Sequence, residues 1–386
     1  MRVLVIAGEP SGDVLGARLI TALRRKAGDQ PVEFFGVGGP RMEAVGLASL
    51  FPMSDIAVMG VAEVLPRLRL ILKRMGAVVE AIRTHRPDAV VTIDAPDFCF
   101  RVAKRCRPLG IPFIHYVAPS VWAWRPGRAK KVARSVDHLM ALLPFEPPYF
   151  EREGVACTFV GHPVVESGAD AGLAERFRAR HGLAAGQPLV VVLPGSRRGE
   201  IGALLPVFAD TLRRLRETHP GLAICVPTLP HWEETVRNAT RDWPFPVIVV
   251  TGDEEKFDAF AASHCALACS GTVALELALA RVPAVVAYKV HPLTAWAVRR
   301  LIRIKYVNLV NIMLERMLVP ELLQQDCRPD RLAAAIAELL DSPTARDAQI
   351  AGLHHVAAWL GAGGAPPSER AADVVLAEIG ARRLVR

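Results

Sequence analysis

The sequence predicts an α/β protein made of two doubly wound domains, and three observations carry that expectation. Short runs rich in Val, Ile and Phe alternate with amphipathic stretches, as parallel sheets covered on both faces require. The scheme restarts midway: "VIAGEPSGDVLGARL" (5–19) and "VVLPGSRRGEIGALL" (191–205) both run from an apolar strand through a small-residue turn into a helix. At 386 residues, 51% hydrophobic and 22% charged, the chain is globular and long enough to bury two cores.

In order, the first half offers strands at 2–7, 32–37, 89–94, 113–117, 138–142 and 157–160. The second offers 189–193, 222–226, 247–250, 266–268 and 284–288. The turn at Gly161-His162-Pro163-Val164 is the best boundary, giving domains 1–163 and 164–345. A second break, "GAGGAPPS" (361–368), lies within a tail, 346–386, whose helices are expected to return to the first domain. Ligands of such sheets bind beyond the carboxyl ends of the strands, and two facing sheets would gather those loops around one cleft.

A net charge of +8 and a pI near 9.3 suit an acidic partner such as a nucleotide, a phosphorylated substrate or an anionic membrane. Nucleic acid fits least, because no zinc-finger or RRM-like motif is present. No apolar run reaches the ~18–20 residues of a membrane span, and 3–7 is too short for a signal-peptide core. The chain is therefore expected in the cytoplasm. Seven scattered cysteines form no CxxC pair, so Cys265 and Cys269, beside His264, read as reduced core thiols rather than a metal site.

The loop at 8–13 matches neither a P-loop nor a dinucleotide fingerprint. Gly8 and Gly12 permit a tight turn, and Ser11 is placed to cap the helix. Glu9 and Asp13 would repel a pyrophosphate, so a hydroxyl-rich ligand such as a sugar fits Gly8, Ser11, Gly12 and Asp13 better. An ordinary tight turn is the competing reading. Asp94 closes a buried strand and is placed for general-base work, whereas Asp97 also suits helix capping. "HYVAPSVWAWRPGR" (115–128) joins His115, Trp122, Trp124 and Arg125 into a segment able to stack on sugar and hold phosphate. The solvated reading is preferred for Lys130, Lys131 and Arg134.

Gly195-Ser196-Arg197 at a helix start offers a guanidinium and backbone N–H groups to a diphosphate. Ser270-Gly271-Thr272 opens a second helix, and Glu276 lies on its face, able to accept from ribose hydroxyls. In 58–82, Val61, Val64, Leu65, Leu68, Leu72 and Met75 recur at helical spacing beside Arg67, Arg69, Lys73 and Arg74. A core-facing helix competes with a membrane-facing or acyl-binding one. Pro66 is expected to break this segment or to sit in a first turn.

"AGEPSGD", "IDAPDF", "HYVAPSVWAWRPGR", "GHP", "LPGSR", "SGTVALELAL" and "VNLVNIM", in this order, resemble the lipid-A-disaccharide synthase family, bacterial glycosyltransferases of lipopolysaccharide assembly. The resemblance implies a GT-B-like pair of Rossmann-like domains, the first holding the acceptor and the second the UDP-sugar. The implied reaction joins UDP-2,3-diacylglucosamine to 2,3-diacylglucosamine 1-phosphate, with inversion and without a metal or other cofactor. The product is a β-1,6 disaccharide phosphate plus UDP, made at the cytoplasmic face of the inner membrane. Asp94 matches the family's base, Arg197 its UDP position and Asn311 a polar active-site position. Val310 stands where the family pattern has a proline. A UDP-sugar enzyme of the same fold, such as a UDP-GlcNAc 2-epimerase, and a non-catalytic nucleotide or anionic-lipid binder are the alternatives.

Overall fold

The computed structural model describes residues 1–57, 61–124, 127–290 and 304–384, with side chains except at 61–65, 124 and 383. Two compact units divide the chain: Met1–Pro163 with Gly363–Arg386, and Val164–Ala362.

The first unit is a seven-stranded sheet in the order β3-β2-β1-β4-β5-β6-β7. Its strands are β1 (Arg2–Ala7), β2 (Glu33–Val37), β3 (Leu47–Ser49), β4 (Ala89–Ile93), β5 (Phe113–Tyr116), β6 (His138–Ala141) and β7 (Ala156–Phe159). All neighbours are parallel. Successive residues of β1 point to opposite faces, so both faces are covered: Val3, Val5 and Ala7 enter one apolar cluster, Leu4 and Ile6 another. The following helix, Pro10–Ala27, has Pro at its start, Asp13 in its first turn and Arg24, Arg25 and Lys26 in its last, matching the helix dipole.

The second unit is a six-stranded parallel sheet, β10-β9-β8-β11-β12-β13. Its strands are β8 (Leu189–Leu193), β9 (Ala223–Thr228), β10 (Val247–Thr251), β11 (Cys265–Cys269), β12 (Ala284–Tyr288) and β13 (Glu321–Leu323). Each expected strand is present within two residues. The edge strands β3 and β13 were not anticipated, because three residues such as Leu-Ala-Ser or Glu-Leu-Leu leave no apolar run to read. All seven cysteines are buried and free.

The tail differs from expectation. Helix Pro343–Trp359 belongs to the second unit, where Gln349 Oε1 accepts from the Ala284 amide at 2.9 Å. Only Pro367–Leu384 joins the first, held by Arg370 on the Phe159 carbonyl, Lys26 on Asp373 and His138 on Glu378. Buried side chains on each helix choose the sheet, so the glycine-rich break at 361–364 is the true divide.

Candidate active site

In a doubly wound sheet the crevice opens where strand order reverses. In the first unit that point lies between β1 and β4, where Ala7 registers against Ile93. The turn at Gly8 and the turn at Asp94 therefore leave neighbouring strand ends. In the second unit the reversal lies between β8 and β11, with Leu193 against Ala268. Gly195–Arg197 and Ser270–Thr272 leave that pair of strand ends. Both pairs of sequence motifs fall at switch points.

Asp94 and Ala95 both take left-handed backbone angles, φ 53° and 42°. Two successive non-glycine residues there store strain of the kind that collects at functional turns. The turn is possible because residue 8 is glycine: a Cβ on Gly8 would lie 2.3 Å from the Ala95 Cβ. What approaches the Gly8 backbone is thus another loop of the same fold. Gly12 lies beside the Asp94 carboxylate, and the Ser11 hydroxyl donates to Asp94 Oδ2 at 3.5 Å. Ser11 does not cap the helix; Glu9 occupies that position without a side-chain bond. Burial pushes the Asp94 carboxyl up from 3.8 to about 6, the Glu9 charge adds to this, and the Ser11 hydrogen bond opposes it. A partly desolvated carboxylate near neutrality in a crevice is suited to take a proton.

Other expectations for this unit need correction. Asp13 is buried and its carboxylate accepts from the amides of Gly39, Arg41 and Met42 at 2.9–3.0 Å. It pins the start of helix Pro40–Ala44 rather than facing a sugar. His115 is wholly buried, its Nδ1 2.8 Å from the Thr92 hydroxyl and its ring edge-on to Phe100. Burial, with Arg128 nearby, drives its pKa down to about 3, so it stays neutral, and packing closes it off from solvent. Asp97 is exposed and accepts from Arg128 at 3.3 Å; Ala95, not Asp97, stands at the helix cap. Trp122 donates to Glu146, a buried carboxylate that also accepts from the Leu142 and Leu143 amides. The Trp124 side chain and Arg125 lie outside the described residues.

In the second unit Arg197 caps helix Arg198–Thr218. Glu200 Oε2 accepts from the Ser196 and Arg197 amides at 3.1 and 3.2 Å, while its Oε1 accepts from the Arg197 guanidinium at 2.9 Å. Gly195, at φ 108°, makes room, since a Cβ there would meet Glu200 Oε2 at 2.6 Å. Trp232 donates to the Ser196 carbonyl from the neighbouring segment. The Arg197 side chain remains 74% exposed, with donors to spare. Glu200 was overlooked, although its position three residues after the cap is a capping-box signature.

Ser270 is half-buried, Gly271 and Thr272 are exposed, and the helix they precede is only Val273–Leu279. Glu276 is held by Lys256 at 3.2 Å, a partner no local pattern announces. Burial raises the Glu276 carboxyl and the Lys256 charge opposes that. Asn311 is buried and saturated: Nδ2 donates to the Val319 carbonyl and to Glu321, and Oδ1 accepts from the Leu318 and Val319 amides. Contrary to expectation, it ties helix Leu309–Leu314 to the 318–321 segment and has no free hydrogen-bonding group for a reacting atom. Among the described residues no cluster of three metal-ligating side chains occurs.

The model of the lipid-A-disaccharide synthetase family matches residues 3–363. The chain belongs to this family. A lipid-A-disaccharide synthase of Rhodospirillum centenum is 63% identical over 97% of this chain and 94% of its own length. One from Paramagnetospirillum magneticum is 50% identical over 97% of each. By structure, a putative UDP-N-acetylglucosamine 2-epimerase of Listeria monocytogenes aligns with TM-score 0.66 at 14% identity over 100% of this chain and 97% of that one. MurG of Acinetobacter baumannii aligns at 0.59 and 14%, covering 97% and 99%. Those distant likenesses establish the GT-B type of fold; membership of the synthase family rests on the sequence matches. The chain is accordingly a glycosyltransferase.

Proposed function

We propose that this synthase moves a diacylglucosaminyl group from UDP-2,3-diacylglucosamine to the 6-hydroxyl of 2,3-diacylglucosamine 1-phosphate, with Asp94 as the general base. The observation that carries the assignment is Asp94 itself: a strained turn at the switch point holds a carboxylate raised to about 6. At pH 7 it is mostly ionised, yet basic enough to accept a proton. The acceptor O6–H proton passes to Asp94 as O6 bonds to the donor's anomeric carbon from the face opposite UDP. The anomeric C–O bond breaks, and its electron pair leaves on the diphosphate. Arg197 and the backbone amides of Gly271 and Thr272 stabilise that charge, the Ser270 amide being held by the Ala287 carbonyl. Glu276, oriented by Lys256, accepts from the ribose. Ser11 tunes and aims Asp94.

No described helix is long and apolar enough to cross a membrane. Attachment to the cytoplasmic face of the inner membrane is read from helix Val61–His85, where Leu68 and Leu72 are 43% and 42% exposed. Mass spectrometry of the products from the two diacylated substrates tests the reaction. A disaccharide phosphate with equimolar UDP is expected. An epimerised nucleotide sugar, or UDP binding with no glycolipid formed, overturns it.

A further inference from the structure

Helix Pro96–Cys106 leaves the Asp94 turn, and helix Arg128–Ala133 lies beside it. Between them runs a groove of about 230 Å³, with Phe100 and Val132 in its wall and Arg101, Lys104, Arg128 and Lys131 around it. Asp97 is its sole carboxylate and is 84% exposed. Arg128 is bonded to it; Arg101, Lys104 and Lys131 have no acidic partner among the described residues.

This accumulation of charge opposes stability. Arg101 repels Lys104 and Arg105 across one helical turn. The helix dipole accounts for Lys104 and Lys131, which sit in last turns. It does not account for Arg101 in mid-helix, nor for two helices converging their cations on one hollow. Arg101 and Lys104, with Arg105, also line a second hollow of about 350 Å³, whose wall includes the exposed Leu72 and the buried Met75. Arg101 and Lys104 thus join a cation-rich groove to a hollow that Leu72 and Met75 make partly apolar, matching a molecule with a phosphate at one end and acyl chains at the other.

We propose that the groove is the subsite for the acceptor's phosphate. This rests on the reading of the acceptor as a phosphorylated glycolipid. Pro96 and Asp97, at one end of the groove, are the second and third residues after Asp94. A phosphate held there belongs to the same molecule whose hydroxyl meets Asp94. A phosphomonoester presents three acceptor oxygens, enough to take donors from both helices at once. The groove equals several times the ~30 Å³ that one water occupies, so it admits the group with part of its hydration.

The test is the triple variant Arg101→Gln/Lys104→Gln/Lys131→Gln, three exposed positions, with unchanged Tm as the folding check. Binding of diacylglucosamine 1-phosphate and of the same lipid without phosphate is measured in neutral detergent micelles. The wild type should prefer the phosphorylated lipid roughly 10- to 100-fold, the worth of one or two charged hydrogen bonds. The variant should lose that preference. In turnover, KM for the phosphorylated acceptor should rise by the same factor, with kcat and the donor KM nearly unchanged. A variant that keeps the preference overturns the proposal. So does one that keeps it while losing binding to phosphatidylglycerol vesicles, since the cations then serve the bilayer. Phosphate preference in the wild type, lost in the variant, without disaccharide formation by either protein would sustain the subsite and refute only the reaction.

Discussion

Asp94→Asn separates catalysis from stability in a single substitution. Asparagine tolerates the left-handed backbone at φ 53° and keeps the shape that meets Ser11, so the turn survives. It cannot take the acceptor's proton, and turnover should fall roughly 10²- to 10⁴-fold with substrate binding retained. Stability should move the other way. A carboxyl raised from its ordinary 3.8 to about 6 disfavours the charged folded form by up to roughly 3 kcal/mol. Below pH 3.8 both folded and unfolded chains are protonated and no penalty exists. Between 3.8 and 6 the unfolded chain releases its proton first, so stability declines as pH rises; above 6 the penalty is complete. Asparagine removes this dependence. Its Tm should therefore exceed the wild type's by several degrees at pH 8 and converge with it near pH 3.5. Wild-type kcat/KM should in turn fall below pH 6 as the base is protonated. Near-normal turnover in Asp94→Asn would refute the general base. A Tm gain that is the same at every pH would refute the electrostatic account.

Arg197→Ala should weaken UDP binding roughly 10- to 100-fold, because it removes a charged donor, and should slow the chemical step as well. Unchanged affinity by calorimetry together with an unchanged rate would discard it. Leu68→Ser/Leu72→Ser alters two half-exposed side chains and should leave Tm nearly unchanged while reducing binding to anionic vesicles and glycolipid turnover. A large fall in Tm would return these leucines to the core. Asn311→Ala strands the Leu318 and Val319 amides and Glu321, so it should cost roughly 2–4 kcal/mol, read as a lower denaturation midpoint. A variant with normal stability but no turnover would restore Asn311 to the chemistry.

Helix Val61–His85 shows where one apolar stripe divides. Met75 is buried against the sheet, whereas Leu68 and Leu72, on the same repeat, stay exposed. Hydrophobic periodicity reports a face but not what covers it. Arg74 is paired with Asp55 and lies over Phe51, and Arg67 donates to the Ser54 carbonyl, so part of the basic set is structural. Pro66 lies inside the helix and does not end it.

The sequence by itself determined the two parallel sheets, since strands buried on both faces must be apolar throughout and their helices must be amphipathic. It also placed Asp94, Arg197 and Ser270–Thr272 at strand ends, because small-residue turns are legible locally. Tertiary structure decided which polar residues face solvent and which are consumed within the fold. Gly8 is needed for Ala95, Asp13 for the amides of Gly39, Arg41 and Met42, Asn311 for the 318–321 segment and Glu276 for Lys256. Asp13, Asn311 and His115 are as polar as any ligand contact. Only the fold shows that the 39–42 turn already meets Asp13, that the 318–321 segment meets Asn311, and that packing seals His115 from solvent, because a buried polar group draws its partners from whatever the fold brings beside it.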